Sequence, residues 1–295
     1  MPTPIHLIAI DIDGTLLNSQ GTLPSRNRCA VTDALTAGLG VVLVTGRAFH
    51  HARPVAEALS PNVVLIVSNG ALTKRADGTT LASRLVPRET ALAIVTAIRP
   101  RHYGMAAIFD RDDARQYVYD GIDWTHPQRH WYYERNRAFI TRVEPLESAL
   151  TEDPAQVAFT GSVDEMRALA TDLGQLPVSR EVTITLTEYA DRDFSLLDII
   201  ARGWSKGAAL AAWVRRLHLN AANVMAVGDN LNDREMLEYV GFPIVMGNAV
   251  DPLKLLGWPV TATHDECGLA EAINGALATS GVTKTGIARK TRGDE

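Results

Sequence analysis

Two acidic residues follow the first apolar run of the chain. The run "HLIAI" ends in "DIDGT", residues 11–15. Side chains of a strand alternate between its two faces, so Asp11 and Asp13 point the same way, separated by about 7 Å. Gly14 permits a sharp turn or the close approach of a ligand. Two carboxylates at the end of a buried strand repel each other and resist desolvation, so we expect a cation to compensate them.

Three more polar segments stand at the end of an apolar run or at the start of a helix. Thr45 and Gly46 lie in "VTGR" and offer a hydroxyl and a backbone N–H beside a helix N-terminus, where anions are favoured. Lys206 lies in "GWSKGAAL", immediately before an apolar helix, and could neutralise a phosphate or a carboxylate cluster. Asp229 and Asp233 are four residues apart in "GDNLND" and can face one spot.

These residues fit a magnesium-assisted phosphoryl transfer. The carboxylates of Asp11, Asp13 and Asp229 form an all-oxygen, anionic set that suits Mg²⁺ together with water and a substrate phosphate. Asp11 would attack phosphorus and form an aspartyl-phosphate. Asp13 would protonate the leaving oxygen and then deprotonate the attacking water. Thr45 and Lys206 would stabilise charge on the transferred group.

The elements that position these residues alternate between strand and helix. Short β-branched apolar runs such as "GVVLV", "VVLIV", "NVMAV" and "PIVM" each end in turn residues, which is typical of parallel strands buried on both faces. Helices are predicted over residues 24–38, 48–59, 205–217 and 233–240. The pattern predicts a Rossmann-like, doubly wound α/β core, in which the polar strand ends share one crevice.

The middle of the chain departs from this pattern. Nine of the eighteen aromatic residues fall between Tyr103 and Phe139, and the stretches "RQYVYD" and "EVTITLTEY" alternate as antiparallel strands with one solvated face do. We therefore predict an α+β cap domain inserted at 80–189 between two parts of the core domain, 1–79 and 190–281. Residues 282–295 have no hydrophobic period and are predicted to be disordered.

Composition excludes several classes of function. The formal net charge of -5 and the absence of a basic block before the tail argue against a nucleic-acid or anionic-membrane surface. No apolar run approaches the length of a membrane span, and the N-terminal segment lacks the charged start of a signal peptide. The two cysteines, Cys29 and Cys267, form no metal or redox motif, so we expect a cytoplasmic protein. The sequence does not indicate an oligomeric state.

The polar segments resemble the motifs of a known family. In order along the chain, "DIDGTL", "VTGR", the lysine of "SKG" and "GDNLND" resemble the four motifs of the haloacid dehalogenase-like hydrolase superfamily. The inserted domain between the second and third motifs resembles the Cof-type branch, whose α+β cap closes over a Rossmann-like core. The segments "SNGA" (68–71), "VMGNAVDPLK" (245–254) and "THDECGLAEAI" (263–273) also resemble that branch, so the resemblance covers about residues 5–278.

The resemblance implies a Mg²⁺-dependent phosphatase acting on a small phosphorylated metabolite, such as a sugar phosphate or a cofactor monophosphate. The implied catalytic residues are Asp11, Asp13, Thr45 and Lys206. The implied metal ligands are the Asp11 carboxylate, the Asp13 backbone carbonyl and Asp229, with Asp233 in support. Contacts with phosphate or substrate are expected at Gly14, Thr45, Gly46, Asn69, Lys206 and Asn232.

Some positions depart from the family pattern or lie outside its motifs. Trp204 replaces a residue that is usually small or aliphatic, which could reshape the hinge of the cap. Arg47 could bind phosphate or pair with a core acid, and we expect His50 and His51 on the surface of the first core helix. The residues to examine for recognition of the leaving group are Arg111, Arg115, Tyr117, Trp124 and Trp131.

Other functions remain open from the sequence. A phosphomutase of the same superfamily would need to shield its aspartyl-phosphate from water. A signalling receiver domain also uses Asp, Thr and Lys with Mg²⁺, but it contains no inserted domain. A catalytically silent sugar-phosphate binder would keep the site and lack turnover.

Overall fold

The computed structural model of the chain describes residues 4–101, 103–189 and 193–279. The predicted disordered tail, 282–295, lies outside these ranges. The strands are β1 Leu7–Ile10, β2 Gly40–Val44, β3 Val64–Val67, β4 Leu72–Arg75, β5 Thr80–Ser83, β6 Gly104–Ile108, β7 Tyr117–Asp120, β8 Ile140–Arg142, β9 Gln156–Gly161, β10 Val182–Tyr189, β11 Phe194–Ala201, β12 Val224–Gly228 and β13 Phe242–Val245. The helices are α1 Ser25–Thr36, α2 Phe49–Glu57, α3 Arg88–Ile98, α4 Pro127–Asn136, α5 Val163–Gln175, α6 Lys206–Arg216, α7 Arg234–Tyr239, α8 Asp251–Lys254 and α9 Gly268–Thr279.

Seven strands form the first sheet, in the spatial order β13-β12-β1-β2-β3-β4-β5. The strands from β13 to β3 are parallel, and β4 and β5 extend the sheet as an antiparallel hairpin. Alternate residues of β1 pack into different hydrophobic clusters, Ile8 and Ile10 into one and Leu7 and Ala9 into the other. Both faces of the sheet are therefore covered, which explains the continuous apolar runs. The predicted doubly wound α/β core is confirmed.

The helix ends follow local signals in the sequence. Helix α1 begins after Pro24, and Gly38 follows it with φ +86°, a conformation that glycine adopts without strain. Helix α6 begins at Lys206 itself, and the hydroxyl of Ser205 caps it by accepting a hydrogen bond of 3.0 Å from Ala208 N. Among the helices that the structure describes, none is long and apolar enough to cross a membrane.

Six strands form the second sheet, in the order β10-β11-β9-β6-β7-β8. All neighbouring pairs are antiparallel except β7 with β8, which run parallel. One face of this sheet packs with α3 and α5 around a hydrophobic cluster. The other face turns towards the first sheet, where Ala106 and Ala158 share a hydrophobic cluster with Ala48.

The chain does not change sheets at the predicted domain boundaries, near residues 80 and 190. Strand β5, at residues 80–83, belongs to the first sheet, and β11, at residues 194–201, belongs to the second. Each of these strands belongs to the sheet of the strand that precedes it in the chain. Strand β5 forms a hairpin with β4, and β11 forms a long hairpin with β10. We propose that the chain crosses between the sheets near residue 85 and near residue 203, instead of near 80 and 190.

Trp204 lies where the chain returns to the first sheet. Its indole Nε1 donates a hydrogen bond to the carbonyl oxygen of Gly70, and the guanidinium of Arg84 lies 5.2 Å from the centre of its ring. Arg84 follows β5 at the first crossing. Trp204 therefore connects both crossing segments to the turn at residues 68–70.

Gly70 should tolerate no side chain, in contrast to Gly174. Gly70 has φ +105°, and a Cβ added to it would lie 2.4 Å from the backbone oxygen of Ser205, whereas a Cβ on Gly174 in α5 meets nothing within 4 Å. We expect Gly70→Ala to lower the free energy of unfolding by about 2 kcal/mol or more and Gly174→Ala to raise it by roughly 0.5 kcal/mol. Urea unfolding of the two variants checks this, and equal midpoints would contradict the close approach of the two segments.

Candidate active site

Lys206 joins the ends of two neighbouring strands. Its ammonium donates hydrogen bonds to Asp11 Oδ1 at 2.6 Å and to Asp233 Oδ1 at 2.7 Å. Asp11 follows β1 and Asp233 lies in the loop after β12, so the parallel pairing of these strands brings both carboxylates to the same edge of the sheet. Lys206 is 3% exposed. The structure therefore brings the first, third and fourth predicted motifs together.

The charges in this cluster are not balanced. Carboxylate oxygens of Asp11, Asp229 and Asp233 all lie within 4.8 Å of one another, and all three residues are buried. Burial raises the pKa of Asp11 to about 7, the charges of Asp233 and Asp13 add to the rise, and Lys206 opposes it. Burial, followed by the charges of Asp11 and Asp233, also raises the pKa of Asp229 well above its ordinary value. One ammonium is too little for three buried carboxylates, so the cluster favours a further cation.

Gly14 lies directly against Asp229. A Cβ on Gly14 would come within 2.2 Å of Asp229 Oδ2, and the residue has φ +81°, a conformation that other residues adopt only with strain. The hydroxyl of Thr15 donates a hydrogen bond of 3.0 Å to Asp229 Oδ1. The amide of Asn248 donates to the carbonyl of Gly14 at 2.8 Å. The turn after β1 is therefore shaped to hold Asp229 beside Asp11.

Asp233 organises the loop around it. Its Oδ2 accepts backbone hydrogen bonds from Asp229 N at 3.0 Å and Asn230 N at 3.1 Å, while its Oδ1 accepts from Lys206. Both oxygens already have partners from the protein. This arrangement fits the supporting role that the sequence predicts for Asp233 better than direct ligation of a metal.

Asp13 is paired with Arg47 instead of with Lys206. Arg47 Nε lies 2.7 Å from Asp13 Oδ2, and Nη2 lies 2.6 Å from Oδ1, so the pair is bidentate. Although burial acts in the opposite direction, the Arg47 guanidinium lowers the pKa of Asp13 to about 2. Arg47 therefore pairs with an acid in this structure, and that acid, Asp13, is partly exposed, with a side chain 40% accessible.

Thr45, Gly46 and Asn69 lie side by side at the ends of β2 and β3. The backbone N–H of Asn69 donates to Thr45 O at 3.1 Å, and a Cβ on Gly46 would lie 3.1 Å from Asn69 Oδ1. Ser68 and Asn69 both have left-handed backbone conformations, with φ of 51° and 52°. This unusual turn brings the side-chain amide of Asn69 close to Gly46 in the second motif, "VTGR".

Asn69 and Asn232 connect the first sheet to the second. Asn232 Nδ2 lies 3.1 Å from Asn69 Oδ1 and 3.2 Å from the hydroxyl of Thr187 on β10. Asn69 Nδ2 in turn donates to Asp198 Oδ2 on β11 at 2.8 Å. The predicted substrate-contacting asparagines therefore lie in the cleft between the two sheets.

Sequence reasoning missed the residues of the second sheet that face this cleft. Asp198 is 3% exposed, and burial raises its pKa to about 7 against the hydrogen bonds from Gln156 and Asn69. Burial, followed by the negative charges of Asp13, Asp229 and Asp11, raises the pKa of the Tyr189 phenol well above its ordinary value. A charged residue inside the apolar run "FSLLDII" was the available signal for Asp198.

The expectation for His50 is wrong. His50 is 6% exposed, and its backbone N–H donates to Gln116 Oε1 at 2.9 Å, because the second sheet covers the start of α2. His51 is half-buried, and its carbonyl oxygen lies 3.4 Å from Arg47 Nη1. The first turn of α2 is thus an interface with the second sheet and not a free surface.

The residues expected to recognise a leaving group are dispersed. Tyr117 and Trp124 pack against each other with ring centres 6.1 Å apart. Arg111 is paired with a glutamate of the same region at 2.7 Å, and Arg115 is exposed. The side chain of Trp131 lies outside the described part of the structure. Tyr117 and Trp124 pack with Ala48 in the cluster between the two sheets.

Comparisons with known proteins agree on one family. The sequence pattern of the haloacid dehalogenase-like hydrolases matches residues 8–273. Phosphatase YwpJ of Bacillus subtilis is 28% identical over 92% of this chain and 100% of its own length. 5-amino-6-(5-phospho-D-ribitylamino)uracil phosphatase YcsE of the same organism is 30% identical over 91% of this chain and 94% of its own. The solved structure of a haloacid dehalogenase-like hydrolase from B. subtilis superposes with a TM-score of 0.78 at 23% identity, covering 92% of this chain and 99% of that one.

Asp198→Asn should stabilise the protein increasingly as pH rises. The folded-state pKa of Asp198, about 7, exceeds the ordinary value of 3.8, so the native state resists ionisation that the unfolded state accepts. The wild type therefore loses stability relative to the variant as pH rises from about 4 to about 7, at most by roughly 1.4 kcal/mol per pH unit. Urea unfolding of both proteins at pH 5, 6, 7 and 8 measures the difference. Asp164→Asn, at an exposed position, is the control, and a difference for Asp198→Asn that is independent of pH would contradict the assignment.

Proposed function

Because the chain belongs to the haloacid dehalogenase-like hydrolase family, whose pattern spans residues 8–273, we propose that it is a Mg²⁺-dependent phosphatase. The proposed substrate is a small phosphomonoester metabolite, and the reaction proceeds through an aspartyl-phosphate. The observation that carries the proposal is the buried cluster in which Lys206 bonds Asp11 and Asp233 beside Asp229. The phosphatase names of the two B. subtilis relatives support the same reaction.

Asp11 is the proposed nucleophile. A carboxylate oxygen of Asp11 attacks phosphorus in line, the bond from phosphorus to the ester oxygen breaks, and the alcohol leaves. Lys206 holds Asp11 Oδ1 at 2.6 Å, so it orients the carboxylate and offers positive charge to the transferred group. Thr45, which is 1% exposed, and Gly46 offer a hydroxyl and a backbone N–H on the adjoining strand end.

Asp13 is the proposed acid and base. It protonates the leaving oxygen in the first step, and in the second it takes a proton from the water that attacks the aspartyl-phosphate. With Arg47 bonded to it, Asp13 has a pKa of about 2 and is ionised at neutral pH. A bound phosphoryl dianion competes for the same guanidinium. We therefore infer that substrate binding shifts Arg47 from Asp13 to the phosphoryl group and lets Asp13 accept the proton that it later donates.

The acidic cluster would hold the metal. The Asp11 and Asp229 carboxylates and the Asp13 backbone carbonyl are the proposed ligands, and Asp233 supports them from the loop. The fit rests on the all-oxygen donor set and on the pKa values of Asp11 and Asp229, which burial and, after it, the neighbouring carboxylates raise. When bound, Mg²⁺ supplies charge neutralisation at the phosphoryl oxygens.

Turnover of p-nitrophenyl phosphate with Mg²⁺ tests the proposed reaction. We expect Asp11→Asn and Asp13→Asn each to lower kcat by on the order of a thousandfold or more, because each removes a group that forms or breaks a bond. Asp164→Asn, at an exposed carboxylate, is the control and should match the wild type. Undiminished turnover by Asp11→Asn excludes the mechanism, and an inactive wild type favours a silent phosphate binder.

Mg²⁺ should raise the thermal stability of the apoprotein. A cation that binds the native cluster and not the unfolded chain stabilises by about 2.7 kcal/mol at a hundredfold excess over its Kd. We expect the Mg²⁺-dependent rise in Tm to be lost in Asp229→Asn and kept in Asp164→Asn, and EDTA to abolish turnover. An equal rise in Asp229→Asn would place the cation elsewhere.

A further inference from the structure

Strand β10 ends over the loop that carries the fourth motif. The carbonyl oxygen of Glu188 accepts a hydrogen bond of 3.2 Å from Asn230 Nδ2, and the hydroxyl of Thr187 lies 3.2 Å from Asn232 Nδ2. These contacts join two consecutive residues of the second sheet to the loop that follows β12. Tyr189, the next residue and the last of β10, therefore lies beside the catalytic loop.

The side chain of Tyr189 points into the cleft between the sheets. Successive side chains of a strand project to opposite faces. The carboxylate of Glu188 pairs with Arg167 of α5 at 2.7 Å, so Glu188 projects to the face that α5 covers. Thr187 and Tyr189 consequently project to the other face, where the Thr187 hydroxyl meets the catalytic loop. Phe194 lies opposite Tyr189 on β11, and its ring, with centres 6.1 Å apart, supports the ring of Tyr189.

The phenol of Tyr189 meets the charges of the first sheet across this cleft. Burial has the largest effect on its pKa and raises it. The charges of Asp13, Asp229 and Asp11, in that order, add to the rise, and the Arg47 guanidinium opposes them. The phenol therefore keeps its proton at neutral pH and lies among the groups that carry the proposed reaction.

The hydroxyl of Tyr189 is an available hydrogen-bond donor. It takes part in no hydrogen bond with the residues that the structure describes. The carboxylates near it have other partners, since both oxygens of Asp13 accept from Arg47, and Asp229 Oδ1 accepts from Thr15. A protonated phenol beside carboxylates that are already bonded can donate to an anion that enters the cleft.

A phosphoryl group on Asp11 would bring such an anion to the phenol. Lys206 bonds Asp11 from the start of α6, and Gly46 stands at the end of the adjoining strand β2, so the first sheet supplies donors from its own side. Tyr189 approaches from the side of the second sheet. Charge is spread over the non-bridging oxygens as a phosphoryl group is transferred, and a donor fixed beside them lowers the barrier.

We propose that Tyr189 is a catalytic residue, whose phenol donates a hydrogen bond to a non-bridging oxygen of the phosphoryl group while that group passes to and from Asp11. The phenol keeps its proton throughout, so no covalent bond forms or breaks at Tyr189. The inference rests on the proposed phosphatase function and adds a residue of the second sheet to it. The site is then complete only when the second sheet covers the first.

Tyr189→Phe removes the hydroxyl and keeps the ring against Phe194. We expect it to lower kcat for p-nitrophenyl phosphate with Mg²⁺ by at least about tenfold, because it removes a donor to the transition state. The urea midpoint should stay that of the wild type, since the hydroxyl bonds no described residue in the free protein. Tyr103→Phe is the matched control and should match the wild type in both measurements, because Tyr103 packs on the opposite face of the second sheet. An unchanged kcat in Tyr189→Phe overturns the proposal.

Vanadate separates a catalytic role from a structural one. With Mg²⁺, bound vanadate adopts the five-coordinate geometry of a phosphoryl group in transfer, whereas inorganic phosphate resembles the product. We expect Tyr189→Phe to raise the Ki for vanadate at least about tenfold and the Ki for phosphate less than about threefold. Two Ki values raised by one common factor, or a fall in kcat that accompanies a fall in the urea midpoint, overturn the proposal.

Phenyl phosphate tests which oxygen receives the hydrogen bond. Its leaving group is more basic than p-nitrophenolate, so the loss of a donor to the leaving oxygen would lower kcat/KM more for phenyl phosphate. A donor to a non-bridging oxygen predicts one common factor for the two esters, and unequal factors overturn the proposal.

Failure of the phosphatase function itself is a separate outcome. If the wild type hydrolyses neither ester, that function fails, and calorimetric titration of the wild type and Tyr189→Phe with vanadate and Mg²⁺ then decides the role of the phenol. Weaker binding to Tyr189→Phe supports the hydrogen bond to the non-bridging oxygen. Equal binding, or none to either protein, overturns it.

Discussion

The arrangement of the site depends on the buried ammonium of Lys206. It bonds Asp11 at the end of β1 and Asp233 in the loop after β12, so one cation connects two strand ends and the start of α6. Burial lowers the pKa of Lys206, but the two carboxylates together raise it by more. The ammonium therefore keeps its proton. Burial still leaves Asp11 and Asp229 with raised pKa values despite this ammonium, so the cluster favours a further cation.

The sequence predicted the parts of the molecule that depend on local patterns. Apolar runs buried on both faces identify β1, β2, β3 and β12, and polar residues that follow these runs lie together at one edge of the sheet. This reasoning works because parallel strands place their carboxyl ends at one edge, so a one-dimensional pattern becomes a three-dimensional cluster. The contact of Lys206 with Asp11 needed no information beyond strand order and the start of a helix.

The remaining features depend on contacts between segments far apart in the chain. Asp198 and Asn69 are separated by 129 positions, and no period in either segment indicates that they meet. The pairing of Arg47 with Asp13 was one of two possibilities, because both a carboxylate and a phosphate suit a guanidinium. Hairpin pairing, and not composition, assigns β5 to the first sheet and β11 to the second, and this pairing underlies the crossings that we propose near residues 85 and 203.

The route of the chain from β11 to α6 has a consequence for how such proteins diversify. Strand β11 belongs to the second sheet and ends at Ala201, and the ammonium-bearing residue follows five positions later. Asp198 and Lys206 are therefore carried on one short stretch of backbone. A recombination event that exchanged the second sheet between related genes would have to join once near residue 85 and once after Ala201 and before Ser205. Such an exchange would keep Asp11, Lys206 and Asp229 together and replace Asp198.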